Sequence, residues 1–490
     1  MAELKPLIIQ APQQGIAQSP NVGYGDMRNL DIYSVPGVAK LNTIAVKKSG
    51  TTVDAQVKWI VRNPSSPENI YAIDANGVVY NSGDDGATWA ELSDRAGVGQ
   101  GLAVWKDYLF VMLDTKINTY GPLSSSPNWL EFQTDLNTDL LWQPCLVSKL
   151  DDKLYIGNGR YVSTLAEVSG QNFADGDSGT YTWTPKALTL PEDYRVKCLA
   201  EQGNNLMIGT WMGDGVFDNR VADIFPWDGS AATYGNPIIM NENGVNAMIN
   251  LGGYLYILAG IDGDVYKSNG AQAWKIAQIP QSVVDTSGGK YIEPYPGAIC
   301  SYKDRLFFAV NSANITDGLG VYSLMETSKG NILNFEHFPS SEVMGSANPT
   351  VIGALLPITR DTLLIGWRNH ATYGIDLTSS TSYKYATDYG GYFESPLYQI
   401  GSHLNKRQFS ECEFNLTKKL ATDEAIRVKF RINLTDSWTT LGTYTFAVLG
   451  AITSHIETEV NIPSTDKLQI RVELLGTTTT TPSFKSLMLK

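Results

Sequence analysis

The chain has 490 residues, 43% apolar and 18% charged, the balance of a folded globular protein with material for two or three domains. Its formal net charge is −13, and its densest basic spots are only Lys47–Lys48 and Lys418–Lys419. A phosphate-neutralising surface needs clustered Lys and Arg, so tight nucleic-acid binding is not expected.

The first twenty residues, MAELKPLIIQAPQQGIAQSP, lack the basic start and long apolar core of a secretory signal. Synthesis in a cytoplasm without a signal peptide is therefore expected. Pro6, Pro12, Gly15, Pro20, Gly23 and Gly25 predict an extended arm over residues 1–37 that gains order from a partner.

From there to about residue 370 one unit recurs: an alternating strand, a tight polar turn, then Leu followed by apolar or aromatic residues and often Gly. GLAVWKDYLFVM, CLVSKLDDKLYIG, CLAEQGNNLMIG, AMINLGGYLYILAG, AICSYKDRLFFAV and GALLPITRDTLLIGW are its clear copies, and VKWIVRNPSSPENIYAI is a looser first one. The marker residues are Ile70, Leu109, Leu154, Leu206, Leu255, Leu306 and Leu363, spaced 39 to 57 residues apart. Further strands such as GVVYNSG and ATWAELS, or GDVYKSN and QAWKIAQ, follow the hairpins. Four short antiparallel strands per repeat predict an all-β fold, a β-propeller over residues 38–393, most simply seven-bladed, with six or eight blades as the alternative. Residues 38–48, VAKLNTIAVKK, are placed to add the last blade's missing strand.

Beyond residue 394 the pattern changes. Seven alternating segments, SPLYQIG, FSECEFNLT, AIRVKFRIN, WTTLGTYTF, HIETEVNI, LQIRVELLG and SFKSLMLK, predict a β-sandwich or jelly roll over 394–490. No apolar run reaches membrane-spanning length, so no membrane insertion is expected.

Signals for cofactor or metal chemistry are weak. Cys145, Cys198, Cys300 and Cys412 lie more than fifty residues apart without a CxxC pair, so buried reduced thiols are expected rather than zinc or a disulfide framework. None of His337, His370, His403 and His455 has a second ligand at metal spacing. Asp175 with Asp177, and Asp262 with Asp264, have Asp-x-Asp spacing but lack the further acids of a calcium loop, so they read as turns. No cofactor is expected. The triplets starting at Asn314, Asn415 and Asn433 fit glycosylation acceptors, which carry little weight without a secretion signal. Trp105, Trp142, Trp183, Trp211 and Trp227 could stack on sugar rings at a channel mouth, or simply fill the core.

The most ordered motif is YNSGDDGATW, residues 80–89. Ser82, Asp84, Gly86, Thr88 and Trp89 fill every defined position of Ser-x-Asp-x-Gly-x-Thr-Trp, and the stretch resembles the Asp-box of the sialidase (BNR) repeat family. In that family the hairpin lies on the blade periphery, away from the catalytic face, which implies a structural turn here. Its relatives KSNGAQAW (267–274) and LSSSPNW (123–129) lack the Asp. The family's early Arg-Ile-Pro segment is also absent, Arg28 being the only nearby arginine, so no catalytic residue is assigned.

SPNVGYGDMRNLDIYSVPGVAKLN resembles the leader of propeller-bearing phage structural proteins, and the C-terminal hundred residues, with ESPLYQIGSHLNKRQF and TTTPSFKSLMLK, resemble the β-sandwich that ends phage tail components. This resemblance implies a structural or host-attachment protein of a bacteriophage virion, in the tail, acting through protein–protein contacts without catalysis. Implied partners are other virion proteins, further copies in a homo-oligomer or ring, and a host glycan or receptor. The alternatives are a glycan-processing propeller, sialidase-like or a polysaccharide depolymerase, and a carbohydrate-binding propeller without turnover.

Overall fold

Ile70, Leu109, Leu154, Leu206, Leu255, Leu306 and Leu363 all lie in the second strand of a four-stranded antiparallel sheet in the computed structural model, and none is more than 4% exposed. The structure describes residues 6–13, 15–16, 25–48, 53–133, 136, 142–168, 173, 181–212, 221–279, 292, 294–311, 319–328, 330–337, 350–383, 390–402, 404–450, 452–457 and 459–490. It divides into two units. One comprises Val46–Gly320 and Gly345–Leu377, the other Met1–Ala45, Val321–Met344 and Thr378–Lys490.

In the first unit the sheets follow chain order. The innermost strands are Val57–Arg62, Gly99–Trp105, Cys145–Val147, Tyr194–Gln202, Val245–Leu251, Ile299–Tyr302 and Thr350–Pro357. Each lies against the next, and the seventh lies against the first, so the ring closes on itself as a seven-bladed β-propeller. Ala45–Lys47 forms the outer strand of the seventh sheet, giving it the four strands of the other sheets. The division between the units falls within the sixth sheet, after Gly320.

Local chemistry explains the hairpins. The turns from first to second strand at Lys106–Asp107, Gly252–Gly253 and Lys303–Asp304 have positive φ at both central residues, the two-residue geometry whose twist matches that of paired strands. The second strands Tyr108–Leu113 and Arg305–Val310 are buried at every position, as strands covered on both faces must be. Cores then form between neighbouring sheets. Tyr71, Ile73 and Val79 of the first meet Leu102, Leu109 and Val111 of the second. Val57, Ile60 and Trp89 of the first meet Ala354, Leu364 and Ile375 of the seventh, and this cluster seals the ring.

The second unit has a different logic. Its larger sheet runs Asp26–Arg28, Gly391–Glu394, Lys467–Leu475, Ala425–Arg431, Thr439–Thr445. Another sheet runs Leu7–Gln10, Phe484–Leu489, Cys412–Leu416, Ser454–Glu457. Alternation gives the larger sheet one apolar face, with Met27, Phe393, Val428, Ile470 and Val472 buried. Aromatic side chains of the two sheets meet: Phe393 lies 5.4 Å from Phe484 and Phe414 lies 4.7 Å from Tyr444, between ring centres. The opposite face of the larger sheet carries ion pairs, among them Lys429–Glu473 at 2.7 Å and Arg427–Glu473 at 3.2 Å.

The expected partition into 1–37, 38–393 and 394–490 differs from this division, and the N-terminal stretch is where the difference is largest. Leu7 pairs with Leu489 and Met27 with Phe393, so Leu7–Gln10 and Asp26–Arg28 of the expected arm are strands of the chain's own C-terminal sheets. Side-chain amides add to the attachment. Asn29 Nδ2 donates to the Gly390 carbonyl at 2.6 Å, and Asn42 Nδ2 donates to the buried Glu336 carboxylate at 2.8 Å. Backbone donors and acceptors that would be unpaired in a free strap are paired within the chain.

Candidate functional site

Five of the seven innermost strands carry one residue too many. The register to the second strand skips Lys58, Gln100, Lys197, Asn246 and Gly353, each a β-bulge at the same place in its sheet. A bulge leaves its extra residue unpaired and re-aims the side chain. The strands approach closely beside these bulges. A β-carbon on Gly353 would lie 1.9 Å from the Val57 carbonyl oxygen, and one on Gly101 would lie 2.1 Å from that of Gln143, so both positions require glycine.

The re-aimed lysines converge. Lys58 Nζ lies 5.1 Å from the centre of the Trp142 ring, and Lys197 Nζ lies 5.8 Å from the same ring. The Trp142 ring in turn lies 4.8 Å from that of Tyr295. These four residues come from the first and fourth sheets and from the segments entering the third and sixth, of which only the third and fourth are neighbours. Groups from non-neighbouring sheets of a ring can meet only near its axis, so this cluster marks the axial channel.

Its two cations have different surroundings. Lys197 is 3% exposed and donates to Asn246 Oδ1 at 2.7 Å, while Asn246 Nδ2 donates to the Gly260 carbonyl at 2.7 Å. Lys58 is half-buried and makes no ion pair or hydrogen bond to its ammonium among the described residues. Burial alone pushes its pKa down to about 8. The indole face offers each cation on the order of 0.5–2 kcal/mol, which does not replace a counter-ion.

The Ser82–Trp89 turn lies elsewhere, between the third and fourth strands of the first sheet. Thr88 donates to Asp84 through its backbone N–H at 2.8 Å and its hydroxyl at 2.6 Å. Ser82 Oγ donates to Asp84 at 2.8 Å and accepts from the Gly86 N–H at 2.9 Å. The Thr88 hydrogen bonds, led by that of the hydroxyl, hold the Asp84 carboxyl below its ordinary range. Gly86 has a φ of 81°, and the Trp89 indole N–H donates to the Gly86 carbonyl at 3.1 Å with the ring buried in the core that seals the ring of sheets.

The other sequence candidates are scattered. Trp105 and Trp227 are core residues, Trp183 packs partly buried beside a core, and of the singled-out tryptophans Trp142 is the one at the axis. Burial pushes the Cys145, Cys198 and Cys300 thiols up, so they are poor nucleophiles. Asp175 and Asp177 lie outside the described residues. Asp264 pairs with Lys275 at 2.6 Å, near Glu242, which accepts from the Tyr266 hydroxyl at 2.6 Å. Burial raises the Glu242 pKa against that hydrogen bond, and the Asp264 charge adds to the rise. A separate cleft of about 220 Å³ is lined by Asp151, Tyr155, Glu201 and Asp228. Its carboxylates serve their own turns: Asp151 accepts from Tyr155 and Asp228 from the backbone of Ser230 and Ala231. Among the described residues no group of three His, Cys, Asp or Glu side chains could hold a metal ion, and no helix is long and apolar enough to cross a membrane.

No family model matches the chain, and no curated protein is significantly similar to it. Solved propeller structures are similar in shape. The structure titled YCF48 bound to D1 peptide is 10% identical, with 71% of this chain and 95% of that one covered at a TM-score of 0.45. YCF48 from Cyanidioschyzon merolae is 10% identical, covering 68% and 98% at 0.44. The RRP9 WD40 repeats are 12% identical, covering 68% and 99%, also at 0.44. At such identities and scores the likeness carries no conclusion about what this chain binds.

The axial cluster is therefore read from its own chemistry. An ammonium without a counter-ion among the described residues, amides and two aromatic faces can bind and orient a group. The sequence held a faint signal for it: Val-Lys-Trp, Val-Lys-Cys and Val-Asn-Ala each place a polar residue directly after Val in an inner strand. Tyr295 had no such signal, because the segment around it follows no repeat.

Proposed function

We propose that this chain is a non-catalytic protein-binding propeller whose axial cluster is a contact point for a partner. The observation that supports it best is the meeting of Lys58, Trp142, Lys197 and Tyr295, since a cation beside aromatic faces is chemistry of recognition. The turn at Ser82, Asp84, Gly86, Thr88 and Trp89 acts in this reading as an Asp-box-like structural clasp, and the two facing sheets of the second unit act as a β-sandwich. The finer assignment, a bacteriophage tail component with virion partners, rests on the sequence resemblance and would be supported by recovery from purified particles at a fixed copy number.

A random-peptide display screen against the full chain tests the central reading. Sequences should be enriched on the native protein and lost on Trp142→Ala, with its melting temperature checked alongside. A chain that retains no peptide would overturn it. The glycan-processing alternative has the Glu242–Asp264–Tyr266 group in its favour, a half-buried carboxyl with a raised pKa beside a second carboxyl. Turnover of host glycans that disappears in Glu242→Gln would replace the binding reading with that one.

A further inference from the structure

We infer that the axial cluster recognises the carboxylate side chains of an acidic, Glu-containing peptide segment, with Lys58 as their counter-ion. The inference rests on the protein-binding reading and specifies its ligand.

Charge carries the first step. Lys58 Nζ is half-buried against the Trp142 indole and meets no acid among the described residues, with a second ammonium, Lys197, near the same ring. Burying an unpaired ammonium is costly unless an anion joins it. The pKa lowered by burial to about 8 agrees with a cation held without a partner among the described residues. Elsewhere in the molecule lysines near acids pair with them, as Lys106 with Glu167 at 2.9 Å and Lys490 with Glu413 at 2.9 Å.

Hydrogen bonding carries the second. Gln143, beside Trp142, is fully buried with neither amide atom partnered, and Gln56, two residues before Lys58, is 6% exposed with its Nε2 unpartnered. That nitrogen lies 3.2 Å from where a β-carbon on the bulge residue Gly353 would stand, which puts it beside the axial bulges. Buried amide donors left without acceptors cost about 1–3 kcal/mol each, a cost that carboxylate oxygens would offset.

Shape carries the third. A bare phosphate would meet only the cations and amides, whereas the methylenes of Glu can also pack beside the Trp142–Tyr295 ring pair. With a net charge of −13 the chain repels acidic partners at long range, so recognition must come from this short-range, desolvated pairing.

Calorimetric titration of the full chain tests the inference with four probes: an acetylated, amidated hexaglutamate, the matching hexaglutamine, glutarate and inorganic phosphate. Hexaglutamate should bind at least tenfold more tightly than each of the others. Lys58→Met should weaken it at least tenfold, leave hexaglutamine unchanged and keep or raise the melting temperature, while Lys58→Arg should retain most of the affinity. Equal binding of the two peptides, tighter binding of phosphate or glutarate, or a Lys58→Met chain that binds normally would each overturn the inference. Neutral or basic sequences that win the display screen yet need Trp142 would defeat it while leaving the protein-binding reading intact. A screen that enriches nothing removes both.

Discussion

The propeller unit and the unit built from the chain's two ends solve the same problem, satisfying strand edges, by opposite routes. In the propeller nearly every strand hydrogen-bonds to a chain neighbour, often through a short turn, as in Trp105 beside Tyr108 or Leu251 beside Tyr254. In the other unit partners lie hundreds of residues apart, as in Leu7 beside Leu489 and Met27 beside Phe393. Local pairing costs little loop entropy and can be repeated, whereas distant pairing ties the ends of a long chain into one structure.

Removing residues 1–31 should have the largest effect, because it takes a strand from each of three sheets in the second unit. Scanning calorimetry is expected to show the loss of a cooperative transition, and unchanged melting would restore the partner-seeking arm. Next in size is Leu255→Ala, one fully buried marker leucine, which should cost about 2–5 kcal/mol in denaturant unfolding. A smaller cost would mean that the sheet cores close over cavities easily.

Lys58→Met should move stability the other way, raising the melting temperature by a few degrees at neutral pH. The folded chain gives up the Lys58 proton near pH 8 and the unfolded chain only near 10.5, so this residue makes native stability rise with pH across that window. The variant should lack that slope, and stability curves against pH would detect it. Asp84→Ala should be the mildest, costing about 1 kcal/mol for an exposed but hydrogen-bonded carboxylate. Because the Asp84 pKa is lowered, its contribution is present above the usual carboxylate range and should fade as the pH falls below about 4. Lost peptide binding with unchanged melting would make that turn a ligand site.

The propeller was legible because its signals are local. Each marker leucine follows a polar turn within a dozen residues, and the tight hairpins place it in a second strand without help from distant chain. The bulges at Lys58, Lys197 and Asn246 were not legible, since a one-residue change of register depends on the partner strand. A lysine in an apolar inner strand was the available hint, and Lys197 and Asn246 are in fact almost wholly buried. The second unit was half legible. Alternation in AIRVKFRIN and LQIRVELLG announces strands with one wet face, yet nothing in LIIQ near the start names Phe484–Leu489 as its partner.

The outer strand at Ala45–Lys47 has a consequence for how the molecule is made. Its partner, Thr372–Thr378, leaves the ribosome roughly 325 residues later, which at about 5–20 residues per second is a delay of tens of seconds. Throughout that interval six sheets can form in succession while the ring stays open like an unfastened bracelet. The segment that will latch it must wait unpaired, without finding another edge, until synthesis delivers its counterpart.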